Sequence, residues 1–474
     1  EHLARRLHLA PVLSRRLVSL PLNVANPAWM DLDGIDLNWH VQSVKLPKPG
    51  GMAELEAFVG QEHAQVMDRT RPLWQFFIVT GLSKKAFGGH VVALYTKVHH
   101  AAVDGKAGVA LANAILDITP VPREVSSPGE KHRKVRIGVG DLLRSAWSNQ
   151  LDQASKLLKT LPSAVSTLSK MATSSATEAV TSRVTAQGRA DRAALPDHGG
   201  LFAPRTSFNG MVSDQRAFAV ASLPLSEVKG LGKGLKATVN DLVLMLVSGA
   251  LRRYLKAHGP LPRESLVAAV PVSLRAEGDT SANTQATITL VPLATQIKDP
   301  AKRLAAIKLA TASMKDTVGN LKDIIPMDFP SLGVPWLMQG AVKLYGATNL
   351  AKRMPPFANV AISNVPGPPI PLYLAGAKML AYHPVSIITH GIGLNVTVQS
   401  YNGMLDFGCI ACGVAMPDVK VLADALLEAF EELKTLPPPA DEGVVPAAAP
   451  IQKSVAKTPG KTAGRAAKKA KPQG

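Results

Sequence analysis

Two adjacent histidines, with Asp-Gly four residues beyond the second, are the part of this sequence best equipped for chemistry: His99-His100-Ala101-Ala102-Val103-Asp104-Gly105. An imidazole is the side chain suited to take a proton from a hydroxyl near neutral pH. The apolar run His90 to Val98 reads as a buried strand, and Lys106 to Asp117 reads as a helix. Both rings would therefore be held at a strand end by rigid structure. Asp104 can cap the next helix or hold the loop through an ion pair. Gly105 removes a side chain where a substrate or backbone must come close. Paired histidines can also be buried and purely structural, but four fixed positions at a strand-to-helix junction favour chemistry.

Other signatures are missing. The sequence holds no G-x-S-x-G elbow, no H-E-x-x-H and no Walker A loop. Gly230-Leu231-Gly232-Lys233-Gly234 lacks the last spacing of a dinucleotide fingerprint and reads as a flexible turn. This leaves direct transfer assisted by a base, with no covalent enzyme intermediate, no metal and no cofactor. The only cysteines form Cys409-Ile410-Ala411-Cys412 inside LDFGCIACGV, which reads as a strand. Their thiols would point to opposite faces, unlike those of a redox or zinc motif. Two cysteines make no disulfide framework, which favours a reducing compartment.

The elements that must position these residues fall into two αβ units. At 474 residues the chain is too long for one ordinary core. Residues 1–122 read as a short helix ending at Pro11, then an extended stretch through Trp29 and His40 to the turn at Pro49-Gly50-Gly51. A helix carrying Met52, Leu55, Phe58, Val59, Val66 and Met67 follows, then the strands Gln75 to Val79 and His90 to Val98. Residues 123–200 are rich in Ser, Lys, Arg and Gln. They hold one helical stripe from Leu143 to Leu168, suited to bridging domains or to lying on a lipid surface. Residues 201–436 form the second unit: a helix from Asn240, strands from Leu266, Ala286, Asn359, Gly393 and Met404, and a closing helix from Val419 to Leu436. Residues 437–474 form a Pro/Ala/Lys tail too poor in large apolar residues to bury a core. The first residue is Glu1 and the chain opens within a helical pattern, so native sequence is expected upstream.

Hydrophobic content of 46% excludes a disordered chain, and no run of eighteen apolar residues suggests a spanning helix. The formal charge is +18, of which the tail supplies +5 and the rest +13. Such a surface attracts polyanions: nucleic acid, anionic headgroups or the phosphates of coenzyme A. A Lys-rich terminus is usually a solvated one, so no specific nucleic acid is expected.

His-His-Ala-Ala-Val-Asp-Gly resembles the HHxxxDG motif of the bacterial wax ester synthase/diacylglycerol acyltransferase family, within the wider chloramphenicol acetyltransferase-like group. Nonribosomal condensation domains share that motif, but further segments resemble the lipid family. They are Arg71-Pro72-Leu73-Trp74, the Asn240-Asp241 pair after Thr238-Val239, and Val270-Pro271-Val272-Ser273-Leu274-Arg275. Pro204 to Gly210, Ser363-Asn364-Val365-Pro366-Gly367-Pro368, Leu394-Asn395 and Ser400-Tyr401 also fit. Two departures stand out: Ala282 precedes Asn283 where the family has Gly-Asn, and Cys412 stands where an acid is expected.

The resemblance implies an α/β (α+β) fold of two chloramphenicol acetyltransferase-like sandwich domains, joined by a helical linker, with the active-site tunnel between them. It implies acyl-CoA as co-substrate and diacylglycerol or a long-chain alcohol as acceptor. His100 is then the general base, His99 shapes the loop, and Asp104 orients it with Arg275 as ion-pair partner. Asn240 would neighbour the oxyanion, while Asp241, Ser363 and Asn364 support or bind substrate. The expected setting is cytoplasmic, peripheral to a membrane or lipid inclusion. The competing expectations are a carrier-protein-dependent condensation enzyme and a basic lipid- or nucleic-acid-binding protein without catalysis.

Overall fold

Residues 74–80 are dominated by aromatic and β-branched side chains that are buried on both faces of a strand, and this strand organises the amino-terminal sheet. The computed structural model describes residues 1–18, 27–32, 34–102, 111–126, 202–273, 286–321 and 355–438. The chain begins with α1 (His2–Arg6), β1 (Arg15–Val18), β2 (Ala28–Asp31) and α2 (Leu37–His40). Next come β3 (Val41–Lys45), α3 (Met52–Ala64), β4 (Trp74–Thr80), α4 (Lys84–Phe87) and β5 (Ala93–Val98). The order β3-β4-β5 makes a three-stranded sheet, with β4 parallel to β3 and antiparallel to β5. Trp74 and Phe76 pack with Ala10 and Leu13 on one side of β4. Phe77 and Val79 pack with Val59 of α3 and Tyr95 of β5 on the other.

Three boundaries differ from the sequence expectation. Residues 37–40 are helical rather than extended, because the Asp36 carboxylate accepts from the backbone N–H of Asn38 and Trp39 and caps them. The helix at Met52 stops at Ala64, and Val66 is 91% exposed, so Val66 and Met67 leave the buried stripe. The strand before the histidines starts at Ala93; Val92 is exposed and lies outside it. Of the helix expected over 106–117, residues 111–115 are helical and 103–110 lie outside the described residues. Asp117 instead pairs with Tyr373 through backbone hydrogen bonds.

The carboxy-terminal half contributes β6 (Arg216–Pro224), α5 (Leu225–Gly234), α6 (Val239–His258), β7 (Val267–Ser273), β8 (Ala286–Pro292) and α7 (Pro300–Leu321). It continues through β9 (Val360–Val365), β10 (Tyr373–Leu374), β11 (Ala377–Lys378), β12 (Leu394–Tyr401), β13 (Met404–Cys412) and α8 (Val419–Lys434). Six strands form a mixed sheet in the order β6-β13-β12-β9-β7-β8, with β9 parallel to both β12 and β7. The run Leu242 to Val247 of α6 is apolar on every side and fully buried beneath this sheet and α8. Among the described residues no single helix is long and apolar enough to cross a membrane.

The glycine run at 230–234 is not a flexible turn but the last part of α5. Val228, Leu231 and Leu235 supply a helical apolar stripe that joins the core. A Cβ on Gly232 would stand 2.8 Å from the Ala237 carbonyl oxygen, so the following turn needs glycine there for close approach. The two halves meet where α3 lies on β6. A Cβ on Gly60 would stand 2.7 Å from the Arg216 carbonyl oxygen, and the Glu56 carboxylate accepts from Val220 N–H at 2.9 Å. The stripe from Leu143 to Leu168 and the tail beyond Pro438 lie outside the described residues.

The C-terminal end of α6 is tied to the start of α8 by His258, whose Nε2 lies 2.7 Å from the Asp418 carboxylate. Its Nδ1 lies 2.8 Å from the Tyr254 carbonyl oxygen, and its ring stacks on Tyr254. That carbonyl, then Asp418, raises the imidazole above its ordinary value. The charged form therefore stabilises the fold fully below about pH 6, and the contribution disappears as pH rises through the raised value. Burial opposes ionisation of Asp418, but hydrogen bonds from Tyr254 and His258 hold it below the usual carboxylate range. Its contribution fades only as pH falls through that lowered value. His258→Gln is expected to lower the melting midpoint at about pH 5.5, with the gap closing by about pH 8.5. Thermal scans of both proteins across that window check this, and a gap that widens with pH contradicts it.

Candidate active site

The histidine pair is delivered by the last rung of the β4–β5 ladder. Val98 pairs with Trp74, and His99 N–H donates to the Leu73 carbonyl oxygen at 2.9 Å. The chain then turns sharply, with Ala102 N–H donating to the His99 carbonyl oxygen at 2.8 Å. The Arg71-Pro72-Leu73-Trp74 run thus holds the backbone of the site. Trp74 is itself locked: its Nε1–H donates to the Leu13 carbonyl oxygen at 2.8 Å, and its own carbonyl oxygen lies 2.7 Å from Nδ1 of the buried His40. Arg71 stacks on Trp39 and pairs with Asp36 and Asp68.

The two imidazoles differ. His99 is partly buried, and its Nδ1 accepts from Ala101 N–H at 3.1 Å. Burial, then the positive charge of Arg69 and the neighbouring His100, lowers its pKa. A neutral ring with Nδ1 committed as acceptor carries its proton on Nε2, so His99 presents a donor. His100 is exposed at the turn. Asp104 and Gly105 lie outside the described residues, as does Arg275.

A second group gathers at one end of the larger sheet. Helix α6 runs antiparallel to β7: Ser248 donates to the Leu293 carbonyl oxygen, and Leu293 N–H donates to the Leu266 carbonyl oxygen beside the start of β7. The N-terminus of α6, with Asn240 and Asp241, therefore lies toward the finishing ends of β7 and of its parallel neighbour β9. Ser363 and Asn364 occupy the end of β9, paired with Thr397 and Val398, and their side chains point to opposite faces. The two cannot line one surface together. The Asn240 side chain makes no hydrogen bond to a described residue, whereas Asp241 is fully engaged. Its carboxylate accepts from Thr238 N–H and from the Thr238 and Thr311 hydroxyls, which makes it a capping and helix-docking residue. Among the described residues no hydrogen bond or ion pair joins this group to the histidines.

Several motif residues prove to be knots in the backbone. Asn209 donates to the carbonyl oxygens of Ala358, Asn359 and Gly391, and accepts from the Asn359 amide at 2.8 Å. Asn359, fully buried, accepts in turn from Val267 N–H at 2.9 Å. Gly367 N–H donates to the Ser400 hydroxyl, and the Tyr401 hydroxyl accepts from Leu372 N–H and donates to the Met379 carbonyl oxygen. Cys409 and Cys412 are both buried free thiols on β13, three residues apart and so on opposite faces. Burial pushes the Cys409 thiol up to about 12, which leaves it unreactive. Cys412 receives hydrogen bonds from the Ser213 backbone and hydroxyl at 3.4 Å. Among the described residues no three His, Cys, Asp or Glu side chains gather as metal ligands would.

Residues 1–243 match the wax ester synthase/diacylglycerol acyltransferase catalytic domain, and residues 283–434 match the C-terminal domain of the same family. The chain belongs to the wax ester synthase/diacylglycerol acyltransferase family. It is 32% identical over 408 residues to the O-acyltransferase WSD of Acinetobacter baylyi, covering 85% of this chain and 82% of that protein. A Mycobacterium tuberculosis protein provisionally named diacylglycerol O-acyltransferase is 32% identical over 442 residues, covering 91% of this chain and 81% of its own. The solved wax ester synthase/diacylglycerol acyltransferase from Marinobacter aquaeolei VT8 superposes with a TM-score of 0.59 at 29% identity, covering 89% of this chain and 85% of that one. The mixed αβ fold is therefore that of the family.

Sequence reasoning missed His40, His63, Tyr95 and Lys97, all packed behind the histidine turn. Each pairs with a residue remote in the chain, so no local spacing announces it. For Asp241 the spacing signal existed: Thr238 and Asp241 stand three apart, as in a capping box. Asp241→Ala is expected to cost about 1–2 kcal/mol, from a lost cap and the lost hydrogen bond that docks α6 on Thr311 of α7. Turnover per folded molecule should stay near that of the parent. Urea unfolding followed by transferase assay of the folded fraction tests both halves of this expectation.

Proposed function

We propose that this chain is an acyl-CoA-dependent O-acyltransferase that acylates diacylglycerol, a long-chain alcohol or both, with His100 as general base. The observation that carries the reading is the histidine turn itself, at the end of β5 in a chain that matches both family domains. His99 has its Nδ1 tied to the Ala101 amide and cannot offer that atom to a substrate. His100, exposed on the same turn, is the imidazole left to accept a proton.

In this scheme His100 removes the proton of the acceptor hydroxyl as its oxygen attacks the thioester carbonyl. The negative charge that develops on the carbonyl oxygen requires preorganised donors. The Asn240 side-chain amide and the His99 Nε2–H are groups of the right chemistry. The tetrahedral intermediate collapses by breaking the carbon–sulfur bond, and the His100 imidazolium returns the proton to the departing thiolate. Asp104 orients the turn, with Arg275 as its ion-pair partner. Ser363 and Asn364, on opposite faces of β9, take separate supporting parts rather than one shared contact.

Purified protein incubated with palmitoyl-CoA and a panel of diacylglycerols and long-chain alcohols should release free coenzyme A and form the ester. His100→Ala is expected to lower turnover roughly a hundredfold to ten-thousandfold while leaving the melting curve unchanged. His99→Ala should cost less. Parental turnover in His100→Ala, with activity abolished in His99→Ala, reverses the two roles. Asp104→Ala should lose activity together with thermal stability.

The acceptors are nearly insoluble in water, so the enzyme works at a lipid–water boundary as a peripheral protein of a reducing, cytoplasmic compartment. The charge of +18 supports attraction to anionic headgroups, each basic residue near such a surface adding on the order of 1 kcal/mol, screened by salt. The apolar stripe from Leu143 to Leu168 and the Lys-rich tail are the proposed docking segments. Deleting residues 437–474 is expected to weaken, without abolishing, co-sedimentation with anionic vesicles at low salt. If both full-length and truncated protein remain in the supernatant under those conditions, the docking proposal is wrong.

A further inference from the structure

Three polar side chains lie behind the histidine turn where the proposed chemistry does not use them: the buried Tyr95 and Lys97 and the partly buried His63. On β5, Tyr95 and Lys97 share their face with His99 by the period of two. β5 is the outer strand of its three-stranded sheet, and among the described residues only β4 ladders against it. On the sheet face that packs against α3, its side chains tie it to that helix. Lys97 Nζ donates to the carbonyl oxygens of Glu62 at 2.6 Å and Gln65 at 2.7 Å, at the open end of α3. Tyr95 reaches the same turn of α3, with its hydroxyl 2.9 Å from Nδ1 of His63.

Burial pushes the Tyr95 phenol up, so it keeps its proton and donates it. His63 is driven down to about 4, by burial first and then by the positive charges of Lys97 and Arg216 against the opposing Ser386 carbonyl. A neutral ring with Nδ1 accepting carries its proton on Nε2, which is the atom available to the Ser386 carbonyl. Ser386 belongs to the stretch that lies over β12 and β13. The Asn395 amide donates to the Ile387 carbonyl oxygen at 3.0 Å, and a Cβ on Gly408 would overlap the Pro384 carbonyl oxygen. Val385 and Ile388 of that stretch pack into one cluster with Phe77, Tyr95, Phe218 and Ile410.

We propose that His63 is a positioning residue for acyl transfer: bonded to Tyr95 on one side and facing the Ser386 carbonyl on the other, it fixes β5, and with it the His99–His100 turn, against the segment covering β12 and β13. The proposal rests on the reading of His100 as the base. A misplacement of about 1 Å at a reacting group can cost about a hundredfold in rate, so the side-chain brace behind the outer strand that delivers the histidine turn is where such control belongs.

Tyr95→Phe deletes one hydroxyl and keeps the ring that stacks on Phe77, so it tests the link with little risk to the fold. It is expected to lower kcat about tenfold, with KM for palmitoyl-CoA and the melting midpoint close to the parent. His63→Leu should lower kcat to the same degree, and the double variant should fall no further, because both remove one interaction. His63→Asn, which retains an acceptor for the Tyr95 hydroxyl, should recover most of the loss. Parental kcat in Tyr95→Phe overturns the proposal, as does a loss in which KM rises and kcat holds. His100→Ala run in parallel separates the two claims. If it stays active, the reading of the site falls, and the positioning role with it. If it is inactive while Tyr95→Phe turns over normally, only the positioning role falls.

Discussion

A base that must take a proton from a weakly acidic hydroxyl has to be held by groups that do not compete for that proton. For His100, the proposed base, the holding is done by backbone. The Leu73 carbonyl oxygen receives His99 N–H, the Ala101 amide occupies His99 Nδ1, and the His99 carbonyl oxygen closes the turn on Ala102. Each remaining feature of the amino-terminal sheet serves this short stretch: Trp74 anchored through Leu13 and His40, Arg71 stacked on Trp39, and α3 braced on β5.

The carboxy-terminal half solves a different problem. Its sheet needs one face covered completely, and α6 does this with a run from Leu242 to Val247 that has no polar side. Such a helix has no solvent-facing stripe to fix its rotation, so its ends must fix it. At one end Asp241 ties Thr238 to Thr311 of α7, and at the other Tyr254 and His258 close on Asp418 of α8. The consequence for function is at the first end. With Asp241 consumed by capping, its neighbour Asn240 keeps an amide that no described residue engages, at the end of the layer where β7 and β9 finish.

Much of this was legible in the chain because it is local. The histidine motif occupies seven consecutive residues, the strand before it was readable, and five of the six strands of the larger sheet were read to within two residues, whereas β6 was missed. The helix start read at Asn240 lies one residue inside α6. What was not legible depends on partners far away in sequence. The glycines at 230–234 look like a turn until Gly232 is seen against the Ala237 carbonyl oxygen, and residues 37–40 look extended until Asp36 folds back on them. His63, Lys97 and Asn359 carry no local signal because each is defined by a contact across the fold.

That division has a physical basis which bears on how the site can vary. A local turn such as residues 99–102 is specified by its own backbone and tolerates change elsewhere. The bracing of β5 is specified by side chains drawn from three segments, α3, β5 and the stretch around Ser386, whose mutual distance is set by one shared apolar cluster. Lys97 is buried and its burial disfavours the charge it must carry, so it is held in place only while the α3 carbonyls are there to receive it. Loosening that cluster would release the lysine and the strand together. The chemistry of the turn and the packing behind it are thus coupled, although no residue belongs to both.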